Sequence, residues 1–118
     1  MKRVKAFFLI LSMTTMGSVH ATDYFRERTI IGAGVYSSGS NSILFVNVDG
    51  DKSGMSPCAT TRRFAIDDSM PNFNEMVSIA MTAYATGEKS VDLAASETCN
   101  HWGNAQDLLG IKIGSMVW

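Results

Sequence analysis

The sequence has 118 residues, a formal net charge of −1, 46% hydrophobic residues and two cysteines. That length supports one small core and leaves no room for a second domain. Near-neutral charge excludes a polybasic nucleic-acid binder, and the lack of any uninterrupted apolar run of about 18 residues excludes a retained helical anchor.

Lys2, Arg3 and Lys5 form a basic start, residues 6–13 are apolar, and Val19-His20-Ala21 places small residues at −3 and −1 of a signal-peptidase site. Thr14, Thr15, Gly17 and Ser18 cut the apolar run short of a bilayer's width. Residues 1–21 therefore read as a signal peptide, with cleavage after Ala21 and a mature chain of 97 residues exported to the periplasm or the medium. The leader holds three of the basic residues and no acidic ones, so the mature chain keeps seven basic against eleven acidic residues, a net charge of −4. Only Arg26/Arg28 and Arg62-Arg63 come near a basic cluster, and each is diluted by Asp or Glu.

Residues 22–28 are polar and read as a frayed lead-in that Tyr24 and Phe25 can pin to the body. Residues 29–36 read as a strand, with Gly32 and Gly34 marking a bulge or a coiled barrel strand. A Ser/Gly/Asn turn at 37–41 leads into 42–49, the clearest strand, whose run of Ile43, Leu44, Phe45, Val46 and Val48 fits a central position with both faces covered. Residues 49–54 form a loop that Pro57 prolongs, and 60–67 read as a further strand with Phe64 and Ile66 inward and Arg63 and Ala65 outward.

The period then changes. Phe73, Met76, Val77, Ala80, Ala83 and Tyr84 recur at three and four, one stripe along a helix of about four turns. Asn72 is placed to cap its start and Gly87 to end it. Residues 90–95 alternate again, with Val91 and Leu93 opposite Asp92 and Ala94. A loop at 96–106 holds Cys99, His101 and Trp102, and 108–117 read as the last strand, with Gly110 and Gly114 as bending points. Three strands, a helix and two strands give a mainly β (α+β) fold: a small OB-like five-stranded barrel with one amphipathic helix over it. Residues 22–118 form its single domain.

Cys58 and Cys99, an even pair in an exported chain, are expected to form a disulfide. The bridge closes a loop of about 42 residues, which the chain-entropy model values at roughly 4 kcal/mol. A reactive or metal-bound pair would need a C-x-x-C spacing or histidines at ligand spacing, and the sequence has neither.

Catalytic groups are sparse. His101 is the one histidine of the mature chain, no serine sits in a glycine elbow, and Asp67-Asp68 are adjacent on a strand end, where side chains point apart. No enzyme activity and no cofactor are expected. Asp49-x-Asp51-x-Ser53-Gly54 copies the first half of a calcium loop, but position twelve, which needs a bidentate glutamate, is Thr60; a solvated turn accounts for the same residues, so no metal is expected. Trp102 in a polar loop, with His101 beside it, and Trp118 at the end of the sequence are the candidate ligand contacts. An exposed indole can stack on a sugar or anchor a protein interface; alternatively, Trp102 covers the disulfide and Trp118 completes the packing of the last strand.

The segment Phe73-x-Glu75-Met76-Val77-x-x-Ala80-x-x-x-Tyr84-x-Thr86-Gly87, followed by Val91, resembles the helix and next strand of AB5 toxin B subunits of the subtilase-cytotoxin and typhoid-toxin kind. Cys58-Ala59 before the helix and Leu108-Leu109-Gly110-Ile111 after it extend the likeness over residues 58–111. The resemblance implies an exported, disulfide-bonded OB fold, assembly as a homopentamer, and glycan binding on the barrel surface. The chain departs from that pattern in having Met70-Pro71 where the family has an aromatic lead-in, and one extra residue between Gly87 and Val91. The family's glycan-contacting serine and lysine have no aligned counterpart, so the resemblance carries over no sugar-binding residue. The expectation is an exported, non-catalytic binding module taking a glycan, set against a free-standing periplasmic accessory or structural protein with an envelope protein as partner.

Overall fold

The structure, a computed structural model, describes residues 21–118; residues 1–20, which hold the expected signal peptide, lie outside the described residues. Six strands and one helix follow in the order β1 (Thr22–Arg28), β2 (Ile30–Ser38), β3 (Asn41–Val48), β4 (Phe64–Asp67), α1 (Phe73–Thr86), β5 (Val91–Ser96) and β6 (Gln106–Ile113). They form one sheet in the order β1-β5-β6-β4-β3-β2, antiparallel except where β4 meets β6.

The expected lead-in is a strand. β1 pairs with β5 from Thr22↔Ser96 to Arg28↔Val91, which makes six strands where five were expected. Its polar sequence hides it, because Phe25 alone is buried while Asp23, Arg26 and Arg28 serve the rim. A bulge between Phe25 and Arg28, with Glu27 at φ 53°, bends the chain, and β2 begins one residue after β1 ends. β1 and β2 are the two ends of the hydrogen-bonded order and are joined at one corner through Thr29, but no ladder connects them, so the six strands form one curled, open sheet.

Asp49 fixes that corner. Its Oδ1 accepts the Thr29 N–H at 2.8 Å, its own N–H donates to the Thr29 carbonyl at 3.1 Å, and Arg28 Nη1 donates to the Asp49 carbonyl at 2.9 Å.

The main core lies inside the curl, under α1. Leu44, Val46 and Val48 from β3, Phe64 and Ile66 from β4, Val91, Leu93 and Ala95 from β5 and Leu108 from β6 are almost wholly buried, and Phe25 meets Phe64 edge-on at 5.1 Å. Helix α1 contributes Phe73, Met76, Ala80 and Ala83; Tyr84, expected on the same stripe, is 52% exposed. Gly87 adopts φ 62° and closes the helix with a Schellman pair, Gly87 N–H to Tyr84 O at 3.3 Å and Glu88 N–H to Ala83 O at 3.0 Å. Asn72 occupies the N-cap position, but its side chain makes no capping bond; its carbonyl accepts the Met76 N–H.

β5 is buried along both faces rather than on one, because Lys112 and the segment after β6 cover Asp92 and Ala94. The last strand ends at Ile113, and Gly114, at φ 87°, turns the chain out of the ladder, after which Trp118 lies over Gly110. Cys58 and Cys99 are bonded, with their Cα atoms 6.1 Å apart.

Candidate ligand-binding site

Alternation along β3 sends Leu44, Val46 and Val48 inward, so Ile43, Phe45 and Asn47 face out. Across the ladders Tyr36 stands opposite Ile43 and Gly34 opposite Phe45 on β2, while Asp67 and Ala65 stand opposite the same two residues on β4. The outer face of this half-sheet therefore carries Tyr36, Phe45, Ala65 and Asp67 side by side. At Gly34 a side chain would meet nothing within 4 Å, which leaves open space beside the Phe45 ring.

Residues 97–105 fold over this face and are tied down at several points. Cys99 is bonded to Cys58. The buried Asp107 carboxylate accepts the N–H groups of Asn100 and His101 at 2.8 and 2.9 Å, together with the Thr98 hydroxyl. The Asn104 carbonyl accepts both the N–H and the hydroxyl of Thr61, at 3.2 and 2.7 Å, and Ala105 N–H closes a tight turn on the Trp102 carbonyl at 3.0 Å. His101 Nδ1–H donates to Asp67 Oδ2 at 2.8 Å, which sets the tautomer of its ring.

These ties seat the Trp102 indole on a second apolar cluster of Ile43, Ala65 and Ala105. Trp102 meets Phe45 edge-on at 5.3 Å and Tyr36 edge-on at 5.6 Å. The Arg63 guanidinium lies 4.6 Å over the Phe45 ring, and its Nε donates to Thr61 Oγ1 at 3.0 Å; it makes no ion pair among the described residues. The product is an aromatic shelf of Tyr36, Trp102 and Phe45, with Tyr36 56% exposed, flanked by a guanidinium on one side and an imidazole–carboxylate pair on the other.

Asp67 is held below the usual carboxylate range by the Ser69 hydroxyl first and by His101 second. Ser69 donates to the carboxylate and not to the imidazole, so these three residues orient a ring and do not activate a nucleophile.

The structure thus brings His101 and Trp102 together and sets Trp118 apart from them. Trp118 lies on the β1-β5-β6 half, where its indole covers Gly110 so closely that a Cβ there would come within 2.9 Å, with Tyr24 6.5 Å away. Beneath it Lys112 Nζ bonds Asp92 Oδ2 at 2.8 Å, and both side chains are largely buried. Burial opposes the charge on Asp92, but the Lys112 hydrogen bond, the Glu27 N–H and the nearby cations outweigh it and lower its pKa.

In the calcium-like loop the side chains turn to backbone groups: Asp49 holds Thr29, and Asp51 Oδ1 accepts the Ser53 N–H at 2.8 Å, which lowers the Asp51 pKa. The described residues contain no group of three or more His, Cys, Asp and Glu placed to hold a metal. Tyr36, Phe45 and Arg63 were not singled out from the sequence; the parity of β3 was the available signal, since the residues out of phase with Leu44 and Val46 include an aromatic.

The sequence matches no family model and no curated protein. Solved structures do match. Two variants of the Salmonella typhi PltB homopentamer, one solved with Neu5Ac-alpha-2-3-Gal-beta-1-4-GlcNAc glycans, align with a TM-score of 0.59 at 16% identity, covering 80% of this chain and 86% of theirs. The cholera toxin-like B subunit of Citrobacter freundii aligns with a TM-score of 0.53 at 16% identity, covering 82% of this chain and 88% of its own. The chain has the fold of toxin B subunits.

Proposed function

We propose that residues 22–118 form an exported, non-catalytic module that binds glycans on the Tyr36–Trp102–Phe45 shelf and assembles as a ring of identical subunits. The observation that carries this reading is the seating of Trp102: an indole fixed between two other rings, with open space at Gly34, is a rigid surface on which the C–H face of a sugar ring can stack. Arg63 stands at one margin as a hydrogen-bond donor for hydroxyl, acetamido or carboxylate groups, and His101, whose Nδ1–H is taken by Asp67, stands at the other with Nε2 as an acceptor for a hydroxyl.

The bound glycan and the homopentameric state of the PltB structures, which share this fold, support the same reading. The disulfide fits an oxidising compartment, and no described helix is long and apolar enough to cross a membrane. Expression of the full sequence, with N-terminal sequencing of the exported product, tests the leader: the reading expects a start at Thr22. A glycan array probed with that product and with its Trp102→Ala variant tests the function: the reading expects retention by the parent and at least tenfold weaker retention by the variant. Absence of retention by the parent refutes the glycan assignment. Light scattering at micromolar concentration tests the ring, and a strict monomer contradicts it.

A further inference from the structure

His101 is the one histidine among the described residues, and the two nitrogens of its ring have unlike surroundings. Nδ1–H donates to Asp67 Oδ2 at 2.8 Å, while Nε2, on the opposite edge, finds no hydrogen-bond partner among the described residues. No buried side-chain nitrogen or oxygen there lacks a partner, so Nε2 reaches solvent although the side chain as a whole is only 13% exposed. The ring also lies at the edge of the shelf. Tyr36, Ile43 and Asp67 are register partners on three adjacent strands; Trp102 packs on Ile43 and meets Tyr36, and His101, the residue before it, is bonded to Asp67.

The charged groups that surround the ring come from three elements. Asp67 on β4 is held below the usual carboxylate range by Ser69 first and His101 second, and Asp68 follows it, exposed. Asp107 on β6 is buried and accepts the His101 N–H, and Glu97 lies exposed at the start of the same loop. Arg63 is the cation across the shelf, over Phe45. Between pH 5 and pH 8 carboxylates and guanidinium groups keep their charge, and imidazole is the side chain that changes. Proton uptake at Nε2 leaves the Nδ1–H bond to Asp67 in place, and the loop stays tied by the disulfide and by Asp107. What changes is polarity. Without the proton, ring and carboxylate together carry one negative charge and present a lone pair, an acceptor for a hydroxyl; with it they are neutral together and present an N–H, a donor to a carboxylate.

Resting on the glycan reading above, we infer that His101 is a proton-operated selector at the edge of the shelf, favouring neutral, hydroxyl-bearing ligands when unprotonated and strengthening the binding of anionic ones when protonated. It works by charge and by exchange of acceptor for donor, with no movement of the Trp102 loop. Linkage makes the effect reciprocal: an anionic ligand that binds the protonated form more tightly draws a proton onto the ring as it binds.

Two measurements test this on the exported product of the full sequence. Nitrogen-15 NMR of the imidazole reads the proton with no ligand present: from pH 8 to pH 5, Nδ1 is expected to stay protonated while Nε2 passes from bare to protonated. A ring with Nδ1 bare at pH 8, or one that does not titrate over this interval, overturns the selector. A glycan array with sialylated members and their desialylated counterparts is then probed at both pH values. The preference for sialylated over neutral members should rise about tenfold from pH 8 to pH 5, the size of one hydrogen bond to a charged group, and should be constant in His101→Gln, whose amide does not titrate. A cooperative melt at pH 8 shows that this variant folds; should it not fold, calorimetry of the parent with a retained sialylated glycan, in buffers of unlike ionisation enthalpy, decides by the proton uptake it detects or fails to detect. A preference that is the same at both pH values, or one whose rise survives in His101→Gln, overturns the selector and leaves the glycan reading standing. Retention of no member at either pH overturns the glycan reading, and the selector with it.

Discussion

Replacing both cysteines with alanine, Cys58→Ala with Cys99→Ala, should cost about 4 kcal/mol. The bonded residues are separated by 41 positions, and the loop-closure entropy released to the unfolded chain for a loop of about 42 residues is on the order of 13 cal/mol/K, or about 4 kcal/mol at 25 °C. The folded side should change little, because other bonds hold the same two segments together: Ser56 Oγ donates to the Glu97 carbonyl at 2.9 Å, and Ser56 N–H donates to Gln106 Oε1 at 3.0 Å. The loss therefore belongs to the denatured state, and alanine avoids adding a polar group next to the core that Cys99 packs against. For a domain of this size the melting temperature should fall by roughly 16–32 °C, from a total stability of about 5–15 kcal/mol. Urea unfolding followed by circular dichroism measures it, and a larger m-value should accompany the lower midpoint, since the uncrosslinked chain exposes more surface. A loss below about 1 kcal/mol with an unchanged m-value would refute loop closure as the source of the stabilisation.

Three further outcomes follow from particular contacts. Gly87→Ala forces a side chain into the left-handed region with nothing crowding it, and should cost about 1 kcal/mol, whereas Asn72→Ala, which removes no capping bond, should stay within about 0.5 kcal/mol of the parent; thermal melts of both compare the two ends of α1. Asp67 and Asp92 have folded-state pKa values below their ordinary value of 3.8, so the stability they add is complete at neutral pH and is lost as pH falls below about 4; a melting temperature flat from pH 5 to pH 2 would contradict this, and Asp67→Asn should shallow the decline. Gly110→Ala should push the Trp118 indole off the sheet, red-shifting its emission while far-UV circular dichroism is unchanged; an unshifted spectrum would mean that the indole does not depend on that close approach.

Local periodicity carried much of the fold. Phe73, Met76, Ala80 and Ala83 at helical spacing, and Gly87 after them, define α1 without any knowledge of its neighbours, and the nearly continuous apolar run of β3 places it between two other strands. β1 was hidden because it buries a single apolar side chain, and its other residues serve long-range partners: Arg26 reaches toward Asp92, and Asp23 accepts from Gln106. The same holds for the candidate site. A polar loop with a tryptophan was visible, but the surface beneath it comes from residues 36, 43, 45 and 65, separated from Trp102 by 37 positions or more, and only the strand register brings them together. Asp107 is a further case. It falls between the expected loop and the expected last strand, yet its burial and its bonds to Asn100 and His101 are what present Trp102.

Tryptophan emission offers the most direct test of the shelf. In a Trp118→Phe variant, Trp102 is the sole remaining tryptophan of residues 22–118, and titration with an oligosaccharide retained on the array should give a saturable change in its emission, with the same dissociation constant as calorimetry. Binding by calorimetry with no change in Trp102 emission would place the ligand elsewhere on the molecule and contradict the account.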